Sequence, residues 1–392
     1  MGIVSALGCG VAATREALLS RRGGVGPMRH LNSVHADLPV GEVPLSGAQL
    51  SDLLGLPRSE EYARTALLGA VAVKEALSSA GLLHPADRHM ALISGTTVGG
   101  MDRTEAHFAS GLASGTRFIR TQDCGSATEF AASLFPVFDM STTSSTACSS
   151  AANAIIFAAD LIRTGRYDRV VAGGSESLSK FHLNGFNTLM ILDGKPCRPY
   201  DATRAGLNLG EGAGYVVLES ERSARERGVR PLCILGGCGN ACDAFHQTAS
   251  SPDGEGAFLA MSKALKDSGL NPCDIDYVNA HGTGTPNNDL SEGRALERVF
   301  GKGNVPPVSS TKGFTGHTTS ASGGIEAVIS ILALQGGFIP VNLNFSNRME
   351  ELSFTPAVSS QARGPIRNVL CNSFGFGGND SAVIYSKAEE TL

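Results

Sequence analysis

The chain has 392 residues, 42% hydrophobic and 18% charged, with 48 glycines, nine cysteines and a formal net charge of −5. This is the balance of a folded globular protein rather than a disordered chain, and its negative charge offers no footprint for nucleic acid or an anionic membrane. No run of about 18 apolar residues reads as a transmembrane helix, the N-terminus lacks the basic head of a signal peptide, and nine irregularly spaced cysteines make no disulfide framework, so a reduced, cytoplasmic enzyme is expected.

In chain order, apolar runs at 89–94, 169–172, 214–219, 232–236, 276–280, 369–373 and 381–385 read as strands. Amphipathic or small-residue stretches at 59–80, 149–163, 256–268, 290–300 and 323–334 read as helices. This alternation predicts parallel sheets covered by helices. A charged segment at 221–230 divides the chain into two strand–helix series, 1–220 and 231–392, that repeat one order of elements. In each, a helix of small residues precedes a glycine-rich strand. The expectation is an α/β protein of two halves in one compact body.

The segment 141–151, STTSSTACSSA, passes from a β-favouring Ser/Thr run into an alanine-rich helix, with Cys148 at the junction. There the thiol meets the positive end of the helix dipole and unpaired backbone N–H groups, both of which favour the thiolate. By position alone the residue equally suits a small buried hydrophobe. The other eight cysteines have no such context. Cys238 and Cys242 form at most half a metal site that nothing answers, so no metal is expected.

His281 in VNAHGTGTP ends an apolar strand and enters a Gly/Thr turn, and His317 in SSTKGFTGH does the same with Lys312 five residues upstream. Carboxyl ends of strands are where α/β sheets bind ligands. Papain-like hydrolysis pairs one histidine with its thiol and needs an Asn or Asp. Two imidazoles instead suit the enolate oxygen formed when a malonyl thioester loses carbon dioxide. A thiolase-type reaction asks for a second cysteine as base, and only Cys371 stands near a comparable glycine-rich strand end.

With these residues the chain resembles, over nearly its whole length, the elongating Cys-His-His type of β-ketoacyl-[acyl-carrier-protein] synthase in the thiolase superfamily. The motifs are TACSSA at 146–151, AGGSES at 172–177, RPYD at 198–201, GEGAG at 210–214, NAHGTGTPNND at 279–289, STKGFTGH at 310–317 and NSFGFGGND at 372–380. The resemblance implies a thiolase-like fold, its two duplicated halves forming a five-layered α-β-α-β-α sandwich. It implies that Cys148 takes an acyl chain from the phosphopantetheine of an acyl carrier protein. His281 and His317 then bind the malonyl thioester oxygen and promote decarboxylation, and the carbanion extends the chain by two carbons. No resident cofactor is implied.

By the same resemblance, the Cys148 and Phe376 amides form an oxyanion hole, and the Phe374–Phe376 loop swings as a gate. Lys312 orients and tunes His317, with Glu326 as its buried partner; Thr283 and Thr285 hold the pantetheine arm; Val98 and Phe186 face the acyl pocket. A homodimer is implied, or a heterodimer with a ketosynthase-like subunit. Departures from the pattern point to a specialised pathway making polyenes or polyketide-like chains. The short strand that usually precedes the segment matching 1–8 is missing, as expected of a chain that is trimmed or begins late. Val98 stands where a larger branched residue often gates the acyl pocket, 188–195 is shortened, Asn379-Asp380 stands where Thr-Asn is frequent, and 59–64 is less basic than a surface meant for an acidic carrier. The rival reading is a non-catalytic, chain-length-factor-like subunit, which typically lacks the nucleophile kept here.

Overall fold

The computed structural model describes residues 1–84, 89–108, 118–362 and 364–388. Its strands are β1 (Gly2–Ser5), β2 (Gly8–Cys9), β3 (Ala91–Gly95), β4 (Met140–Ser144), β5 (Arg169–Glu176) and β6 (Gly212–Glu219), then β7 (Ile234–Cys242), β8 (Tyr277–Asn279), β9 (Val308–Ser309), β10 (Asn368–Gly375) and β11 (Asn379–Ser386). They form two sheets, ordered β2-β1-β6-β5-β3-β4 and β7-β11-β10-β8-β9. Leaving out β2, both sheets run antiparallel, antiparallel, parallel, parallel across their pairings. The same topology in the same chain order occurs twice.

The sheets are therefore mixed, not parallel as the alternation predicted. Helices cover both faces, so β5, β6, β10 and β11 are buried on both sides and read as continuous apolar runs, the pattern parallel strands share. The helices Ser150–Arg163 and Ser322–Gly336 pack against each other and against both sheets. Arg64–Ser79 and Cys124–Leu134 cover the outer face of the first sheet; Glu255–Ser268 covers that of the second, and Pro286–Phe300 packs beside it in the same core. Five layers result. The central core joins Ile155, Val170, Ile329 and Val383, with flanking cores around Leu68 and Leu92 and around Met261 and Leu296.

The glycine content follows from this closeness. A Cβ on Gly214 would lie 2.4 Å from the Gly324 carbonyl carbon, so strand and central helix touch backbone to backbone. Ser322–Gly336 is buried from Ser322 through Leu334, as a helix between two sheets must be. The helix expected over 59–80 begins only at Arg64. Ser59 and Glu61 close a turn before it, and the Arg64 guanidinium binds Glu211 and the carbonyls of Val43 and Leu45. No helix of the described residues is long and apolar enough to cross a membrane, and all nine cysteines are free.

Candidate active site

Three chain segments converge between the halves. Cys148 follows β4 on a tight turn whose preceding residue, Ala147, has φ 51°, a left-handed conformation that costs a non-glycine residue energy and recurs where function needs it. Ser150 Oγ accepts from Thr146 N at 2.9 Å and donates to the Ala147 carbonyl at 2.6 Å, bracing the turn before its helix. The thiol is 5% exposed.

His317 Nε2 stands 3.1 Å from Cys148 Sγ. Its backbone N–H donates to the Asn208 carbonyl at 2.7 Å and its carbonyl accepts from Gly210 N at 2.9 Å, so the GEGAG segment holds it in place. Nδ1 lies 3.1 Å from Ser322 Oγ, at the start of the central helix. Burial, then the Lys312 charge, pushes the His317 pKa well below its ordinary value. A Ser322 hydroxyl that donates to Nδ1 leaves the proton of the neutral ring on Nε2, facing Cys148.

His281 lies 5.3 Å from His317, ring centre to ring centre, nearly edge-on at 84°. It too is held neutral by burial and then by Lys312. Lys312 Nζ sits 3.4 Å from His281 Nδ1 and donates to the His281 carbonyl at 2.5 Å. An ammonium can only donate, so Nδ1 accepts and the proton resides on Nε2. This corrects the pairing of Lys312 with His317: the lysine's hydrogen bonds run to His281 and Glu326, and it reaches His317 only through its charge. The reason is topological. Lys312 follows β9, which lies beside β8, the strand that leads into His281.

Glu326 accepts from Lys312 at 2.5 Å inside the central helix, and burial pushes its pKa up to about 7. Burial also pushes the Cys148 thiol up to about 12, against the pull of Lys312 and of a hydrogen bond from the Phe376 backbone. The lowered pKa expected from the helix N-terminus is thus reversed at rest. The N–H groups of Ser149 and Ser150 turn back to the carbonyls of Thr146 and Ala147, leaving the sulfur little compensation for lost water.

Phe376 follows β10, its amide on the Cys148 sulfur and its ring stacked on Phe186 at 5.7 Å. Phe186 is therefore found against the loop ring. Phe374 is buried beside His281, ring centroids 5.6 Å apart. The hydroxyls of Thr283 and Thr285 lie 2.9 Å apart on the loop after His281. Val98 is half-buried after β3, next to Thr97, whose backbone N–H donates to Glu176 at 2.8 Å.

Several partners went unread. Glu292 accepts from the N–H groups of His281 and Gly282 at 2.9 and 2.8 Å, fixing that turn from the helix Pro286–Phe300. A carboxylate eleven residues beyond the histidine on a helix was the available signal. Ser322 and Glu176 gave none, being one serine and one glutamate in motifs full of small residues.

A buried thiol facing two neutral imidazoles, inside a doubled α/β fold, defines a condensing enzyme of the thiolase fold. Residues 1–224 match the family described as "Beta-ketoacyl synthase, N-terminal domain", and 232–346 its C-terminal domain. The chain is 40% identical over 254 residues to the mitochondrial 3-oxoacyl-[acyl-carrier-protein] synthase of Arabidopsis thaliana, covering 62% of this chain and 55% of that protein. It is 36% identical over 340 residues to Nodulation protein E of Rhizobium meliloti, covering 83% and 82%. A solved structure described as the ishigamide ketosynthase/chain length factor superposes with a TM-score of 0.91 at 28% identity, over 99% of this chain and 98% of that one. The chain belongs to the β-ketoacyl synthase family, the enzymes of chain-elongating condensation.

Proposed function

We propose that Cys148 carries the growing acyl chain, and that His281 and His317 together decarboxylate the extender. The observation that carries this reading is the convergence at one point of the Cys148 thiol, His317 Nε2 at 3.1 Å and the Phe376 amide, with His281 edge-on to His317. In the first half-reaction Cys148 sulfur attacks an acyl thioester. The oxyanion rests on the Cys148 and Phe376 amides, and the departing pantetheine thiolate takes the proton that leaves the sulfur. In the second, a malonyl thioester places its carbonyl oxygen at the two Nε2–H donors. The bond to the carboxylate breaks, carbon dioxide departs, and its electron pair becomes the enolate. The enolate carbon attacks the acyl-Cys148 carbonyl; the carbon–sulfur bond breaks with its electron pair left on sulfur, a proton from water restores the thiol, and a β-ketoacyl thioester two carbons longer leaves.

Lys312 and Glu326 hold His281 as an Nε2–H donor, and Thr283 and Thr285 take the pantetheine arm. Val98 and Phe186 border the acyl chain beside the Phe376 gate. The substrates arrive on acyl carrier protein, in the cytoplasm, with no resident cofactor. The likeness to a ketosynthase/chain length factor structure supports assembly with a second ketosynthase-fold subunit, identical or chain-length-factor-like. The test is to mix the protein with acyl and malonyl carrier proteins. Mass spectrometry should place the acyl group on Cys148. Cys148→Gln should still release carbon dioxide without condensing, and His317→Ala should release none.

A further inference from the structure

Asn379 is the first residue of β11, directly after Gly377-Gly378, both in the left-handed region at φ 83° and 80°. Its side-chain oxygen gathers donors from two other elements. Asn153 Nδ2, on the helix that follows Cys148, reaches it at 2.7 Å, and Asn240 Nδ2 on β7 at 3.0 Å. Ser149 Oγ, next to the nucleophile, stands 2.9 Å away. Asn153 Nδ2 also lies 2.9 Å from Thr146 Oγ1, on the other side of Cys148. On the backbone, Asn379 pairs with Gly375, and Gly378 N–H donates to the Gly375 carbonyl at 3.0 Å. Phe376 is thus carried on a short turn whose return strand begins at Asn379. A Cβ on Gly375 would approach the Thr146 carbonyl to 2.7 Å, so turn and nucleophile elbow already lie in contact.

We propose that Asn379 is a positioning residue for acyl transfer, whose carbonyl oxygen ties the Phe376 turn to the Cys148 elbow and so sets the Phe376 amide at the developing oxyanion. Asn379 touches neither the thiol nor the substrate. It works through Asn153 and Ser149 on one side and through the β10–β11 turn on the other. Donors converging on one oxygen require an acceptor at that point, which an aliphatic side chain of equal size does not supply. Misplacing one oxyanion donor approaches the cost of deleting it, about 100-fold in rate. The inference rests on the reading of Phe376 as part of the oxyanion hole.

The experiment compares Asn379→Leu and Asn379→Asp with the unmodified protein in two reactions. One is acylation of Cys148 by an acyl carrier protein, whose oxyanion rests on the Phe376 amide; the other is decarboxylation of malonyl carrier protein in the Cys148→Gln background, whose enolate oxygen rests on His281 and His317. Asn379→Leu should lower the acylation kcat about 10- to 100-fold, with KM and carbon dioxide release within about twofold. Asn379→Asp, which keeps accepting oxygens at that point, should recover most of the loss. If acylation and carbon dioxide release fall together, or if Asn379→Leu acylates at the unmodified rate, the inference is overturned while the condensation reading stands. If the unmodified protein is never acylated at Cys148, the condensation reading falls and this inference with it.

Discussion

Lys312 sets its ammonium 3.4 Å from Nδ1 of His281 while donating to Glu326, so one buried cation fixes a tautomer and neutralises a carboxylate together. Removing it alone leaves Glu326 unpaired in the central helix. Lys312→Met should destabilise the fold by about 3–5 kcal/mol, and Lys312→Met with Glu326→Gln should recover most of that. Both proteins should decarboxylate malonyl carrier protein about 100-fold more slowly, since neither fixes His281 as an Nε2–H donor. Denaturant titration and carbon dioxide release separate the two effects. Equal stability of the single and double variants contradicts the pairing.

The Cys148 thiol, pushed up to about 12 by burial, is protonated at neutral pH. Alkylation by iodoacetamide follows the thiolate fraction, so its rate should climb close to tenfold per pH unit from 7 to 9, without a plateau. A plateau at or below pH 8 would mean a stabilised thiolate at rest.

Asp380 on β11 is 5% exposed, and its pKa is raised to about 8 by burial, then by Asp243 and Glu292. Its folded pKa exceeds the unfolded one, so its contribution is fully present below about pH 4 and is lost as pH rises through 8. Asp380→Asn should therefore leave stability near pH 4 unchanged and raise it by about 2 kcal/mol at pH 8 and above. Thermal melts across that range give the answer, and a constant difference at every pH would exclude the titration.

The Phe376 ring rests on Phe186 with centroids 5.7 Å apart and planes 20° from parallel. Such a contact is worth about 0.5–1.5 kcal/mol, so Phe186→Ala should raise the population of a displaced loop about 2- to 10-fold. Iodoacetamide should then reach Cys148 faster by the same factor, and longer acyl chains should be accepted. An unchanged alkylation rate would show that Phe186 does not hold the loop.

Much of this arrangement was legible in the residues. The strands running from Arg169 and from Gly212 and the helix following Cys148 were marked by long apolar or alanine-rich runs bounded by glycine. The strands β1, β2 and β9 carry no such mark, and β4 shows only as a β-favouring Ser/Thr run. β4 is the polar run Met-Ser-Thr-Thr-Ser at a sheet edge, and β9 has only two residues, so neither shows an apolar period. Helices such as Val11–Leu19 and Lys180–Thr188 are nine residues long and bury few side chains, so neither offers a long apolar stripe. Cys148, His281 and His317 stood out because each enters a turn of small residues. Their partners could not be ranked by spacing, because contacts such as Lys312 with His281 depend on which strands lie side by side.

Coupling of decarboxylation to condensation by one thiol and two neutral imidazoles is measured by following carbon dioxide and β-ketoacyl carrier protein together, after acyl-loaded protein is mixed with malonyl carrier protein. One carbon dioxide should appear per ketoacyl product, with release abolished in His317→Ala and strongly reduced in His281→Ala. Product formation that persists in both histidine variants, or acyl-loaded protein that yields neither product nor carbon dioxide, would contradict it.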